Sequence, residues 1–249
     1  MKKEMYLKNQ AAKLTAGHID RRQFIMSALA AGVVLPTAMT MATDAMAMTP
    51  KKGGSVKMGS GYGSTTDSLD PGTYENGFMT GTGYLYGNNL TVVNPMGKLE
   101  PELAESIQAS DDATMWTFKL RSGVTFHNGK AFGADDVIES LQMHVGEDSK
   151  SAAKPIVSAI TEMKKLGDLE VEFTLASGNA DLPYLLSDYH ITMFPAGQVE
   201  EAIQKGIGTG LYSVEAFDPG VRFVGKRVAD HYKGDAAGFF DEVEFVAIN

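Results

Sequence analysis

The side chains best suited to chemistry are few in this 249-residue chain, and their spacing does not favour catalysis. The five histidines are His18, His127, His144, His190 and His231. No two stand three to five residues apart, so no helix face presents a paired metal ligand. Cysteine is absent, which removes disulfides, thiolate catalysis and Cys-based metal sites together. No Gly-x-Ser-x-Gly elbow occurs. Asp111-Asp112 and Asp135-Asp136 are adjacent acids that point different ways on any regular element, so they read as capping or solvated groups rather than an acid/base pair. His127 lies in the turn Thr125–Gly129 and is expected to bond local backbone. His144 continues the helix face of Leu141 and is expected to be half-buried. Three glycine clusters remain: Gly59-Ser60-Gly61-Tyr62-Gly63, Gly81-Thr82-Gly83, and Gly206-Ile207-Gly208-Thr209-Gly210. None has dinucleotide or phosphate-loop spacing. They fit tight turns or binding loops in which backbone faces a small ligand beside an aromatic ring, with Tyr62, Tyr84, Tyr86 and Tyr212 adjoining.

The elements that would position these loops are mostly strands. Trp116, Phe118 and Leu120 alternate with polar residues, as do Leu169, Val171, Phe173 and Leu175, so each stretch predicts a strand with one buried face. Ser55–Gly59, Leu90–Val93, Val221–Arg227 and Glu242–Ile248 are further strands. Helices are expected at Asn76–Asn88, at Ala134–Val145 with Asp135-Asp136 near its positive end, at Ala180–Tyr189 with Asp181 as N-cap, and at Val199–Lys205 before Gly206. Grouped strands without a βαβ rhythm predict a mixed α/β lobe around a largely antiparallel sheet.

The first fifty residues read as an export address. Lys2, Lys3, Lys8, Lys13, Arg21 and Arg22 precede the uncharged run Ile25–Leu35, Pro36 breaks that run, and Ala45-Met46-Ala47 offers small residues for cleavage. Arg21-Arg22-Gln23-Phe24-Ile25 resembles a twin-arginine signal. Asp20 stands where that pattern commonly has Ser or Thr, and Met26 where it has Lys. A membrane anchor is the alternative, against which the run is about half the length of a span. The expected division is a signal peptide over 1–47, a flexible lead-in over 48–54 and a lobe over 55–249. Cleavage after Ala47 removes six of 22 basic and three of 31 acidic residues. That leaves 16 and 28, a net charge of about −12, which repels phosphate backbones and argues against nucleic-acid binding. No second long apolar stretch follows, so the mature part is expected to be soluble. Six of the 14 methionines lie in the leader, and the rest read as core filling.

Several blocks then line up in order: Leu99-Glu100-Pro101-Glu102-Leu103-Ala104, Trp116 through Lys130, Phe132-Gly133-Ala134-Asp135-Asp136-Val137, Gly208-Thr209-Gly210-Leu211-Tyr212, Asp230-His231-Tyr232-Lys233-Gly234 and Phe240-Asp241-Glu242-Val243. Together they resemble the extracytoplasmic solute-binding proteins of peptide/nickel-type ABC transporters. The resemblance implies the first lobe of a type II periplasmic-binding-protein-like two-lobed fold. It implies a monomer without cofactor, metal or catalytic residue that captures a peptide or related small solute in the periplasm and hands it to a membrane permease. By the same resemblance the ligand candidates are Tyr62, Gly63, Tyr86, Asn88, Gly210 and Tyr212. The chain departs from the family at Leu211, where Pro or a ring is usual, and at Gly133, where a Thr cap is usual. Family members run to about twice this length, so the second lobe is expected to lie outside this sequence, and one lobe alone is expected to bind solute weakly or not at all. Two rival readings stand beside this one: an exported metal- or cofactor-dependent enzyme, and a truncated interaction domain without solute.

Overall fold

The computed structural model describes residues 2–15, 17–47 and 51–248. The chain divides into two compact units, Met1–Lys52 and Gly53–Asn249. The first is three helices: α1 (Lys2–Thr15), α2 (Arg21–Ala30) and α3 (Leu35–Ala47). Leu7 and Leu14 of α1, Phe24 and Ala28 of α2, and Ala38, Ala42 and Ala45 of α3 form its small core. The apolar run is not interrupted at Pro36, as expected, but earlier. Gly32, with φ +74°, turns the chain, and the Val33 amide closes helix α2 on the Ala28 carbonyl at 3.0 Å. Pro36 instead sits in the first turn of α3, where its missing N–H costs nothing. Among the described residues no helix is long and apolar enough to cross a membrane. Of the expected lead-in, residues 48–50 lie outside the described residues.

The second unit runs β1 (Ser55–Gly61), α4 (Gly77–Tyr86), β2 (Thr91–Val93), β3 (Leu99–Pro101), β4 (Ala104–Ala109), β5 (Met115–Leu120), α5 (Ala134–Gln142), α6 (Lys154–Val157), β6 (Ile160–Gly167), β7 (Glu170–Leu175), α7 (Leu182–Leu185), α8 (Val199–Lys205), β8 (Tyr212–Asp218), β9 (Arg222–Arg227) and β10 (Glu242–Ile248). The strands make one sheet in the order β1-β10-β9-β8, a second in the order β4-β5-β7-β6, and the pair β2-β3. Every pairing is antiparallel except β1 with β10. The mixed α/β, largely antiparallel architecture is as expected.

Each four-stranded sheet covers its own core. Trp116, Phe118 and Leu120 of β5 meet Val171, Phe173 and Leu175 of β7 beneath Val137 and Leu141 of α5. Phe78, Met79 and Tyr86 of α4 pack on Phe223 of β9 with Phe194 and Ala202, and Phe78 stacks on Phe245 at 5.5 Å. Ile207 packs against both cores. The Asn76 side chain caps α4 by accepting the Met79 amide at 2.9 Å.

Three expected helices are shorter than their patterns, the one over Asn76–Asn88 running only Gly77–Tyr86. The helix after Ala134 stops at Gln142, and the helix expected over Ala180–Tyr189 is the single turn of α7. Asp181 makes no side-chain capping bond there, and the carbonyls of Leu186 and Asp188 accept from Asn89 Nδ2. Gly133 was expected only as a weak substitute cap. In the fold a Cβ at that position would lie 2.8 Å from the Asp168 carbonyl oxygen, so close backbone approach requires glycine. Asp136, buried and paired with Lys130, accepts the Gly133 amide at 2.8 Å and the Ala196 amide at 2.7 Å.

His144 is fully buried, not half-buried. Its Nδ1 meets Ser151 Oγ at 2.7 Å, and its Nε2 is buried without a partner. Burial, then the neighbouring His190, push its pKa down to about 4, against a smaller upward pull from Asp188. The unfolded chain therefore takes up a proton near pH 6.5 that the folded chain refuses until about pH 4. The contribution of His144 to stability is expected to fall as pH drops through that window, by about 2 kcal/mol between pH 7 and pH 5. His190 opposes this in part: burial lowers its pKa but Asp188 raises it further, so its contribution grows as pH falls towards its unfolded pKa. Urea titrations at pH 7 and pH 5 should show the loss, and His144→Gln should reduce it. His127 and His231, lowered mainly by burial, carry what slope remains. An unchanged pH slope in the variant would refute the assignment.

Candidate functional site

The glycine loops and their aromatics fall into two groups. The first is a buried joint at the C-terminal end of α4. The Gly210 amide donates to the Tyr86 carbonyl at 2.8 Å, and a Cβ on Gly210 would sit 2.4 Å from the Tyr86 carbonyl carbon. Glycine is needed there for backbone to touch backbone. The Tyr86 ring is fully buried, and its hydroxyl donates to the Leu69 carbonyl at 2.8 Å and meets the Tyr74 hydroxyl at 2.8 Å. Tyr212 is also buried, its hydroxyl donating to the Phe240 carbonyl at 3.2 Å. His127 bonds backbone as expected, but not locally: its Nε2 meets the Gly210 carbonyl at 2.9 Å and its Nδ1 accepts the Gly208 amide at 3.3 Å.

A polar knot lies beside this joint. Buried Glu102 accepts from Asn88 Nδ2 at 3.1 Å, from Lys233 Nζ at 2.5 Å and from the Tyr232 hydroxyl. Burial, then the Glu102 carboxylate, push the Tyr232 hydroxyl far above its ordinary pKa, so it stays a donor. Asn88 Oδ1 accepts from Thr209 at 3.0 Å, and His231 Nε2 holds the Thr209 carbonyl at 2.9 Å. Asn88, half-buried, also lines an open cleft of about 420 Å³ with Tyr84, Glu102, Ser187 and Lys233.

The second group lies on the loop that follows β1. Tyr62 is 65% exposed and held at φ +64°, a left-handed conformation that costs a non-glycine residue of order 1 kcal/mol. Its amide donates to the Ile248 carbonyl at 3.1 Å. Gly63 is buried, and a Cβ there would meet Ala247 Cβ at 2.5 Å. Further along the same loop, Asp70, Gly72 and Thr73 form one wall of a cleft of about 480 Å³, whose other wall is Gly146–Ser151. Sequence reasoning did not select this cleft, because its two walls are brought together only by the fold. The Ala152 amide donates to the Gly72 carbonyl at 3.1 Å, and Lys154 Nζ donates to the Gly146 and Glu147 carbonyls at 3.1 and 3.2 Å. The cleft carries both signs of charge, Asp70, Glu147 and Asp148 against Lys150.

Ser151-Ala152-Ala153-Lys154 has the spacing of a nucleophilic serine and its lysine base. The geometry does not pair them. Ser151 Oγ accepts the Ala153 amide at 3.1 Å and meets His144 Nδ1, while Lys154 holds carbonyls. His144 has no third group orienting its other nitrogen, which an activated serine would require. Among the described residues no cluster of His, Asp and Glu could hold a metal ion.

Residues 98–249 match the bacterial extracellular solute-binding proteins, family 5, middle region. The chain belongs to that family. It is 28% identical over 201 residues to di/tripeptide-binding protein 2 of Pseudomonas aeruginosa, covering 69% of this chain and 37% of that protein. It is 32% identical over 130 residues to the HTH-type transcriptional regulator SgrR of Yersinia pestis, covering 51% of this chain and 22% of the regulator. Among solved structures it superposes on the periplasmic binding protein AgaA of A. tumefaciens R10, bound to agropinic acid. The TM-score is 0.72 at 25% identity, over 78% of this chain and 40% of AgaA. The fold is therefore part of a lobe of a two-lobed periplasmic binding protein, and the chain spans well under half the length of each of these relatives.

Gly210→Ala should test the joint. Its methyl would overlap the Tyr86 peptide, at an expected cost of about 1–3 kcal/mol, read as a lowered urea midpoint. A midpoint equal to the wild type would show that the loop can move away and that close approach is not required.

Proposed function

We propose that this family 5 chain captures solute for an ABC transporter outside the cytoplasmic membrane and delivers it to the permease. The family match over residues 98–249 carries the reading, and the superposition on a periplasmic binding protein supports it. The solutes named for the relatives, di/tripeptides and agropinic acid, support a small solute bearing ionised carboxyl groups as the class. Residues 1–47 act as a twin-arginine signal read at Arg21, Arg22 and Phe24 and cleaved at Ala45-Met46-Ala47, so the mature protein is periplasmic. It works as a monomer, without cofactor or catalysis.

Solute contact falls to the loop after β1. Tyr62 offers its exposed ring beside Gly63, and the mixed-charge cleft of Asp70, Thr73 and Lys150 suits a molecule carrying both an amine and a carboxylate. Asn88 contributes from the second cleft. Tyr86 supports the loop from behind through the Leu69 carbonyl, while Gly210 and Tyr212 face protein at the joint with α4 and at Phe240. Capture is by closure of a second lobe over this one, with ligand contacts stabilising the closed state. One lobe alone leaves the solute half-solvated and binds weakly.

Tyr62→Gly separates binding from folding. Glycine accepts φ +64° freely, so stability should stay level or rise by about 1 kcal/mol. Loss of the ring should weaken solute binding by about tenfold, or 1.4 kcal/mol. The measurement is isothermal titration of the full-length protein, taken from its own cell envelope, against a panel of di- and tripeptides and acidic small solutes. Unchanged affinity in the variant would remove Tyr62 from the site. A panel in which nothing binds, with no small-molecule adduct in native mass spectra, would overturn the solute-capture reading.

A further inference from the structure

Two features of the leader bear on each other. Its paired arginines occupy the first two positions of helix α2, where the backbone N–H groups already carry partial positive charge. Two cations there oppose the helix they begin. The residue before them, Asp20, is the helix N-cap, in extended conformation at φ −85° and ψ 170°. Its Oδ1 accepts the Gln23 amide at 2.7 Å, and Gln23 Oε1 accepts the Asp20 amide at 2.8 Å. This reciprocal capping box satisfies orphan donors and places a carboxylate against the charge of the arginines. With the start of α2 fixed, Phe24 and Ala28 face the small core while Arg21 and Arg22 stay exposed. An arginine guanidinium nitrogen of Arg21 reaches Thr43 Oγ1 on α3 at 3.2 Å. Met26 is 61% exposed, so its side chain carries no packing role that a lysine could not meet.

We infer that Asp20 is a positioning residue for export: by capping α2 it presents Arg21 and Arg22 on a preformed helical turn to the export receptor. This rests on the twin-arginine reading of the leader. It also gives a physical account of the departure at position 20. Aspartate, serine and threonine share the property of accepting the amide three residues on, so the receptor need not read their side chain at all. A receptor that binds the helical leader pays for any fraction that is not helical, since apparent affinity scales with the competent population.

The test is fractionation of cells expressing the full chain with Asp20→Ala, Asp20→Ser, or Arg21→Lys with Arg22→Lys. Amide exchange at Gln23 is measured by NMR on the uncleaved full chain. Asp20→Ala should lower the exported fraction by about fivefold, the population change that follows loss of one N-cap, and should speed Gln23 exchange. Asp20→Ser should restore both. Normal export of Asp20→Ala while the arginine double variant is blocked would overturn the positioning role and leave the export route standing. Failure of Asp20→Ser with Gln23 still protected would also overturn it, since the carboxylate would then be read directly. Normal export of the arginine double variant would overturn the route itself, and the inference with it.

Discussion

The buried carboxylate of Glu102 is the constraint on which the second unit depends. An ionised carboxylate taken out of water costs several kcal/mol unless it is paired and hydrogen-bonded. The partners that meet this cost come from distant stretches: Asn88 from the turn after α4, and Tyr232 and Lys233 from beyond β9. The Glu102 carbonyl also accepts Arg121 Nε at 3.0 Å, just past β5. These bonds require the end of α4, the start of β4, the end of β5 and the turn after β9 to arrive together. The Gly208–Gly210 loop lies against the same knot, held by Asn88 through Thr209 and by His127 and His231. The two cores are thereby joined through polar groups with directional geometry, in addition to the contact that Ile207 makes with both.

That arrangement gives the glycine-tyrosine pairs a second, structural role. A glycine beside an aromatic ring suits a ligand loop, and it equally suits two backbones in contact with a ring filling the space behind them. Tyr86 and Tyr212 are of the second kind, with hydroxyls spent on carbonyls inside the protein. The difference is set by residues 17 and 28 positions away, beyond the reach of any local pattern. His127 shows the same limit: its backbone bonding was legible from its turn, but its partners stand 81 and 83 residues on.

Elements with one buried face were legible because burial imposes a period on the sequence. Strands β5 and β7 alternate strictly, and they are the central strands of their sheet. Edge strand β6, with Glu162, Lys164 and Lys165 along it, buries only Ile160 and carries no such period. The parallel pairing of β1 with β10 joins residues 187 positions apart, as in Lys57 with Glu244, and nothing local in either strand specifies it. The family blocks supplied what periodicity could not, because an ordered set of turns and caps specifies a topology where a single strand does not. Even so, the blocks mark the parts that hold the lobe together. The cleft walls at Asp70–Thr73 and Gly146–Ser151 fall outside them.

Tyr62 stands at the boundary between those two kinds of residue. Its left-handed backbone is imposed from both sides: its amide is held by Ile248, Gly63 is wedged against Ala247 and Gly220, and the Ser64 amide donates to Asp67 at 2.9 Å. Glycine would occupy the position without strain, and a tyrosine in a core would at least recover its cost in buried area. This ring does neither, since it is mostly exposed. A strained backbone carrying an unburied aromatic brings no evident benefit to folding, which makes the ring a candidate for contact outside the unit. That argument runs from an observed outlier towards a contact surface, and it supports the proposed solute contact at the end of β1, where the surrounding loop is anchored on both sides of the ring.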